Sequence, residues 1–220
     1  KAFLESDSVS MQHLKSLRDA GLNVMHLLPT YDLGSINETP EQVIELDETV
    51  GELCRMFPEV HICSRSEIQQ KSVREVFASM DPLSTDVQAV VEQIRGSDPY
   101  NWGYDPYHYT VPEGSYATNP EGTARIVEFR EMVQALHGMG LRVIMDVVYN
   151  HTFQAGLNPK SVLDRIVPNY YHRLNPITGA IEQSTCCDNT ASERVMMGKL
   201  MVDSLVVWAR EYKIDGFRFD

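Results

Sequence analysis

Three short apolar runs, residues 22–28, 141–151 and 214–220, constrain the fold most, because a stretch with helical spacing precedes each of them. Residues 8–20 place Met11, Leu14 and Leu17 at i, i+3 and i+6, and Gly21 supplies a stop. Residues 121–137 carry Ile126, Phe129, Val133 and Leu136 as an inner stripe, and Thr118-Asn119-Pro120-Glu121 ahead of them has capping-box spacing. Ser192 is placed to cap a third helix reaching Tyr212, with Val195, Leu200 or Met201, Leu205 and Trp208 on its apolar side. The runs themselves are too short for helices and read as buried strands. Successive helix–strand units with polar residues at the strand exits predict an α/β fold, either a parallel barrel or a doubly wound sheet. No glycine-rich phosphate loop follows a strand, which disfavours a nucleotide fold.

Two of these runs carry charges that a plain core strand lacks. Side chains alternate along a strand, so Gly216, Arg218 and Asp220 share one face while Phe217 and Phe219 take the other. A guanidinium beside a carboxylate keeps the carboxylate ionised, as a nucleophile must be. The last run reads as the active-site strand of a larger enzyme. Asp146 lies inside the middle run, where a buried acid needs a partner, and an arginine or a tyrosine fits. Structural ion pairing and direct catalysis are both open to it. Asn150 and His151 close that run, at the site rim of a barrel. Asp32, just after the first run, reads as a turn residue.

Residues 33–98 are acidic, lack a strand pattern, show weak helical spacing at 66–79 and 85–94, and are punctuated by Pro40, Pro58, Pro82 and Pro99. An excursion of this length reads as an insertion over one edge of a site. Tyr100-Asn101-Trp102-Gly103-Tyr104-Asp105-Pro106, followed by Tyr107, His108 and Tyr109, is too aromatic for a plain loop. Its rings suit the apolar faces of sugars, or form a hydrophobic plug. Residues 152–190 read as a long loop region. The net charge of −12 argues against nucleic acid and anionic membranes as partners and fits a neutral substrate. No apolar run approaches the roughly 18 residues of a membrane span. The four cysteines do not have zinc-site spacing. Cys54 and Cys63 are placed to close a short loop, and Cys186 and Cys187 to form a vicinal disulfide; four free thiols are the plain alternative.

Asp146-Val147-Val148-Tyr149-Asn150-His151 and Gly216-Phe217-Arg218-Phe219-Asp220 resemble the first and second conserved regions of the α-amylase superfamily of glycoside hydrolases. The 100–106 motif resembles the signature of its type I pullulanases and limit dextrinases, and residues 27–32 and 109–116 extend the likeness. The resemblance implies part of a (β/α)8 TIM barrel, about strands 2–4 with their helices. Residues 1–220 would be a fragment of one catalytic domain, with 33–98 inserted after its first strand. It implies retaining hydrolysis of α-1,6-glucosidic branch linkages in pullulan, starch, glycogen or limit dextrins. By position, Asp220 matches the nucleophile and Arg218 the arginine that holds it ionised. His151 matches a ligand of a sugar hydroxyl in subsite −1, Tyr104 the aromatic stacked on that sugar, and Asp105 a lining residue. Asp146 matches a supporting acid and Asn150 a calcium ligand. Calcium is the one cofactor implied, with no organic cofactor. An α-glucan is the implied partner, and export to the cell surface or medium the implied location. The family's general acid and transition-state stabiliser belong to later strands and match nothing in these residues.

Three rival readings compete. An α-1,4-acting amylase or a branching enzyme is opposed by the 100–106 signature. A non-catalytic glycan-binding relative is opposed by the joint presence of Arg218 and Asp220. A metal hydrolase using His151, Asp146 and Asp220 lacks further ligands, since His13, His26 and His108 fall in other contexts.

Overall fold

Ser8 starts the first helix, α1 (Val9–Asp19), by accepting a hydrogen bond from Met11 N on its hydroxyl, and Gly21, at φ +112°, ends it. The structure, a computed structural model, describes residues 6–39, 42–184 and 186–220, so Pro40 lies outside the described residues. The chain then forms β1 (Val24–Leu27) and β2 (Tyr31–Leu33). It divides into two compact units, Lys1–Gly34 with Trp102–Asp220, and Ser35–Asn101. The insertion is expected from the sequence at 33–98; the second unit runs from Ser35 to Asn101.

Residues 35–101 have their own core, built by Ile44, Val50, Leu53, Val60, Ile62, Ile68, Val73, Val76, Val90 and Ile94. Its helices are α2 (Val50–Met56), α3 (Val73–Ala78) and α4 (Asp86–Ile94). The spacing at 85–94 is realised as α4, while 66–79 splits into a 3-10 turn, Ser66–Ile68, and α3. Two capping boxes, Thr49 with Glu52 and Ser72 with Glu75, start α2 and α3. Cys54, on α2, is disulfide-bonded to Cys63.

In the first unit, β3 (Pro106–Pro112) pairs antiparallel with β2. Tyr107, His108 and Tyr109 are therefore strand residues rather than loop residues, and Asp32 is a strand residue rather than a turn residue. The second long helix, α5 (Ala124–Gly138), starts three residues later than its sequence pattern. The 118–121 capping box does not form: Asn119 Oδ1 instead accepts from Glu121 N, a local turn that competes with the helix. Strand β4 (Arg142–Val147) follows, then the two-residue β5 (His151–Thr152), α6 (Leu163–Ile166) and β6 (Asp188–Asn189). β5 and β6 pair antiparallel, His151 opposite Asn189. The last helix, α7 (Val195–Glu211), has Arg194 rather than Ser192 at its N-cap and no side-chain cap. It buries Met197, Ser204 and Trp208 and leaves Val195 exposed, so its inner face is rotated from the expected stripe. Strand β7 (Gly216–Phe219) completes the unit.

β1, β4 and β7 form one parallel sheet with β4 in the middle. A parallel pair needs a crossover, and α5 and α7 supply them. Only β4 has a strand on each side, and Val143, Met145, Asp146 and Val147 are buried. The outer strands are not the buried strands expected: β1 has no fully buried residue, and Phe219 on β7 is 59% exposed. α5 covers the sheet through Val133 and Leu136, and Phe129 packs edge-on against Trp208 and Tyr212. Full burial of a side chain such as Trp208 contributes about 1.5–3 kcal/mol.

Candidate active site

The sheet register builds the site. Asp146 on β4 is the Cα partner of Arg218 on β7. Neighbouring residues of adjacent parallel strands project to the same side, so their side chains meet. Arg218 Nη1 donates to both Asp146 oxygens at 3.0 Å. The same nitrogen donates to Asp220 Oδ1 at 2.9 Å, two residues along the same face. One guanidinium nitrogen thus bridges two carboxylates. These hydrogen bonds, to Asp146 first and then Asp220, raise the Arg218 pKa above its ordinary value, so its charge is permanent.

Asp146 is 3% exposed and finds both partner types expected for a buried acid. Besides Arg218, Tyr104 donates its phenol proton to Asp146 Oδ2 at 2.7 Å. That hydrogen bond, then partial burial and the Asp146 charge, raise the Tyr104 pKa. The Tyr104 carbonyl is held as well, 2.9 Å from His151 Nε2. Gly103 allows this approach: its φ is +83°, and a Cβ there would run into the Pro29 carbonyl oxygen. Asp105 enters through its backbone, its carbonyl accepting from Gly34 N at 2.9 Å. Tyr100 and Trp102 are 75% and 64% exposed, which fits ring-stacking surfaces better than a buried plug.

His151 is 3% exposed, so it is a buried residue beneath Tyr104 rather than an open rim residue. Tyr109 fixes its backbone by donating to the His151 carbonyl at 2.7 Å. The Tyr109 carbonyl accepts in turn from Trp208 Nε1 at 2.8 Å and Ser204 Oγ at 3.1 Å, which anchors β3 to α7. Burial raises the Tyr109 pKa, and pushes that of Tyr149 up to about 12, so both phenols stay neutral donors. Asn150 is exposed, and its carbonyl accepts from Thr190 N. Its side chain can supply one of the six to eight oxygens that calcium takes. The neighbouring candidate ligands are His151 with Cys186 and Cys187, whose sulfurs suit soft metals.

Sequence reasoning missed a second polar cluster. Asp32 on β2 is buried, pairs through Oδ2 with His108 Nδ1, and has Arg125 Nη1 3.7 Å from Oδ1. Glu113 is buried close to it in space, accepting from Leu33 N at 2.7 Å and Ser115 N at 2.9 Å. The alternation of residues 107–111 is the period-2 signal that would have revealed β3 and so His108 opposite Asp32.

Residues 33–100 match the family model of the Pullulanase Ins domain. The whole chain is 47% identical over 227 residues to a pullulanase of Klebsiella pneumoniae, covering 21% of that protein. It is 44% identical over 220 residues to the chloroplastic pullulanase 1 of Arabidopsis thaliana, covering 20% of it. Among solved structures, the Klebsiella pneumoniae pullulanase complexed with maltotriose matches with a TM-score of 0.90 at 47% identity, over 97% of this chain and 21% of that one. The chain spans about a fifth of the length of the curated relatives it matches. It is thus similar from end to end to a region of pullulanases, and its residues 33–100 match the Pullulanase Ins domain.

Proposed function

We propose that this chain is part of the catalytic domain of a pullulanase-type glycoside hydrolase that cleaves α-1,6-glucosidic branch linkages in pullulan, starch, glycogen or limit dextrins with retention. The observation that carries the reading is the Arg218 bridge between Asp146 and Asp220, with Tyr104 hydrogen-bonded to Asp146. The three motifs behind the resemblance, separated along the chain, converge in that contact. The parallel strands β1, β4 and β7 are then about strands 2–4 of a (β/α)8 barrel. The maltotriose bound by the similar solved pullulanase supports an α-glucan as the ligand.

In this reading Asp220 attacks the anomeric carbon and forms the glycosyl-enzyme intermediate. Arg218 keeps it anionic and aimed. Tyr104, fixed at its hydroxyl and its carbonyl, offers a rigid ring for the sugar in subsite −1, and Asp105 lines that subsite. His151 supports Tyr104 by holding its carbonyl and, as the resemblance implies, binds a sugar hydroxyl in subsite −1. Asp146 acts through Arg218 and Tyr104 as a positioning residue. A second carboxyl, about 5–5.5 Å from the nucleophile, must serve as general acid. The two disulfide bonds support export to an oxidising compartment. Calcium at Asn150 belongs to the same proposal, and no step depends on it. Unchanged activity after chelation would remove it.

The test is Asp220→Asn in the longer protein this reading requires. Turnover on pullulan is expected to fall by several orders of magnitude while maltooligosaccharide binding persists. A loss smaller than roughly tenfold would take the nucleophile role from Asp220.

A further inference from the structure

The orphaned ring nitrogen of His151 leads to a site outside the glycosidase chemistry. A backbone carbonyl only accepts, so His151 Nε2, at 2.9 Å from Tyr104 O, must carry the proton. In the neutral ring that leaves Nδ1 as a bare lone pair. Nδ1 is buried, with no hydrogen-bond partner. The short β5–β6 ladder sets His151 opposite Asn189 and so delivers the preceding residues, Cys186 and Cys187, to the same place. A ring nitrogen of His151 and the two sulfurs lie within 4.8 Å of one another. Cys186 and Cys187 are joined as a disulfide, and Cys186 is exposed, within reach of a reductant.

We propose that His151 Nδ1, Cys186 Sγ and Cys187 Sγ form a metal site for a borderline-soft divalent cation, Zn2+ in the first instance, that opens when the Cys186–Cys187 bond is reduced. A dithiol reductant supplies two electrons and two protons and becomes its own disulfide, leaving two thiols on the protein. Zn2+ then displaces both thiol protons to solvent and takes two thiolates and one imidazole. Tetrahedral zinc with Zn–S about 2.3 Å and Zn–N about 2.0 Å needs ligand atoms about 3.5–3.8 Å apart, so the two sulfurs must part from bonding distance once reduced, while the imidazole is already within 4.8 Å. Three protein ligands leave the fourth position for water. The hydrogen bond of Nε2 to a carbonyl fixes the tautomer that a metal-binding histidine needs. Because Tyr104 hangs on that bond, occupancy would also stiffen the Tyr104 ring.

The test reads metal, not hydrolysis, so it stands or falls separately from the proposed function. The protein is reduced with dithiothreitol, freed of it under anaerobic conditions, and titrated with Zn2+ by calorimetry, and with Co2+ for the thiolate-to-cobalt absorption band. One equivalent is expected to bind to the reduced protein and none to the oxidised one. Cys186→Ser with Cys187→Ser should abolish this binding, and His151→Gln should weaken it at least tenfold while leaving the fold intact by circular dichroism. Cys54 and Cys63 are reduced in all these samples, so equal affinity in the double serine variant would place the metal there and overturn the proposal. Full affinity in His151→Gln would do the same, by leaving the imidazole no part. No binding at all to the reduced protein would also overturn it.

Discussion

Tyr104 is held at both ends, its hydroxyl by Asp146 and its carbonyl by His151, so its ring and its hydrogen bond can be tested apart. Tyr104→Ala is expected to lower kcat/KM on pullulan by the equivalent of about 1–3 kcal/mol, the usual size of an aromatic stacking contribution. Tyr104→Phe keeps the ring, loses only the bond to Asp146, and should cost less. Unchanged efficiency in the alanine variant would leave the ring without a sugar to stack on. The phenol's raised pKa has a definite sign. Its neutral, donating form stabilises the fold fully below the ordinary value of 10, and that contribution is lost as pH rises through the higher folded value. At this scale much of the site was legible. Alternation placed Arg218 and Asp220 on one face, and the cost of burying a lone acid demanded a partner for Asp146. That Tyr104 would be a second partner was not legible, because no local pattern spans the 42 residues between them. His151 looked like a rim residue because strand ends are rims; the β5–β6 ladder that buries it is too short to leave a periodic signal.

At the scale of elements, Asp215 is the joint between α5, β4 and β7. Its Oδ2 accepts from Val143 N at 2.7 Å and lies 2.8 Å from His137 Nε2, and its own N–H donates to Val143 O at 2.8 Å. Burial pushes its pKa up, but the Val143 bond, His137 and Arg142 outweigh this and hold it below the ordinary 3.8. A carboxylate with a lowered folded pKa gives stability that is full above 3.8 and fades as pH falls through the folded value. Asp215→Ala should therefore cost about 1.5–3 kcal/mol near neutral pH, the usual worth of a hydrogen bond to a charged group, because it removes the carboxylate that Val143 N and His137 share. The difference from the unmodified chain should vanish in strong acid. Urea unfolding at several pH values checks it, and a pH-independent difference would show that packing rather than charge is responsible. The helices and parallel strands were legible because each carries a period of its own. Caps and edges were not. The Thr118 box lost to an Asn119 turn, and α7 began without Ser192. The outer strands were read as buried because an apolar run shows that a strand can be covered, not that another strand lies beside it.

At the scale of the whole molecule, residues 35–101 form a unit with its own core, in the span that the sequence set apart as an insertion but whose helices it showed only weakly. Closing the Cys54–Cys63 loop, a sequence separation of 9, should stabilise that unit by about 2.5–3 kcal/mol by restricting its unfolded state. Equal unfolding midpoints with and without reductant would overturn this. The other unit sets the last prediction, that residues 1–220 expressed alone release no maltotriose from pullulan. Retention needs a carboxyl to protonate the leaving oxygen beside the one that attacks. The acid that shares Arg218 with Asp220 is Asp146, and it is already committed to Arg218 and to the Tyr104 hydroxyl. Both its oxygens are taken up as acceptors, and the resemblance matches no other residue here to that task. The sheet points the same way. Arg218 and Phe219 lie on an outer strand and are exposed, so the guanidinium that must hold Asp220 is open to water, which weakens its hold by screening. Asp220 then has neither an acid to work with nor a dry pocket in which its charge is focused. The assay is reducing-sugar release by a purified monomer with a cooperative thermal transition. Turnover by that species would show that these residues carry a complete set of catalytic groups, and the Asp146 assignment would be the first to go.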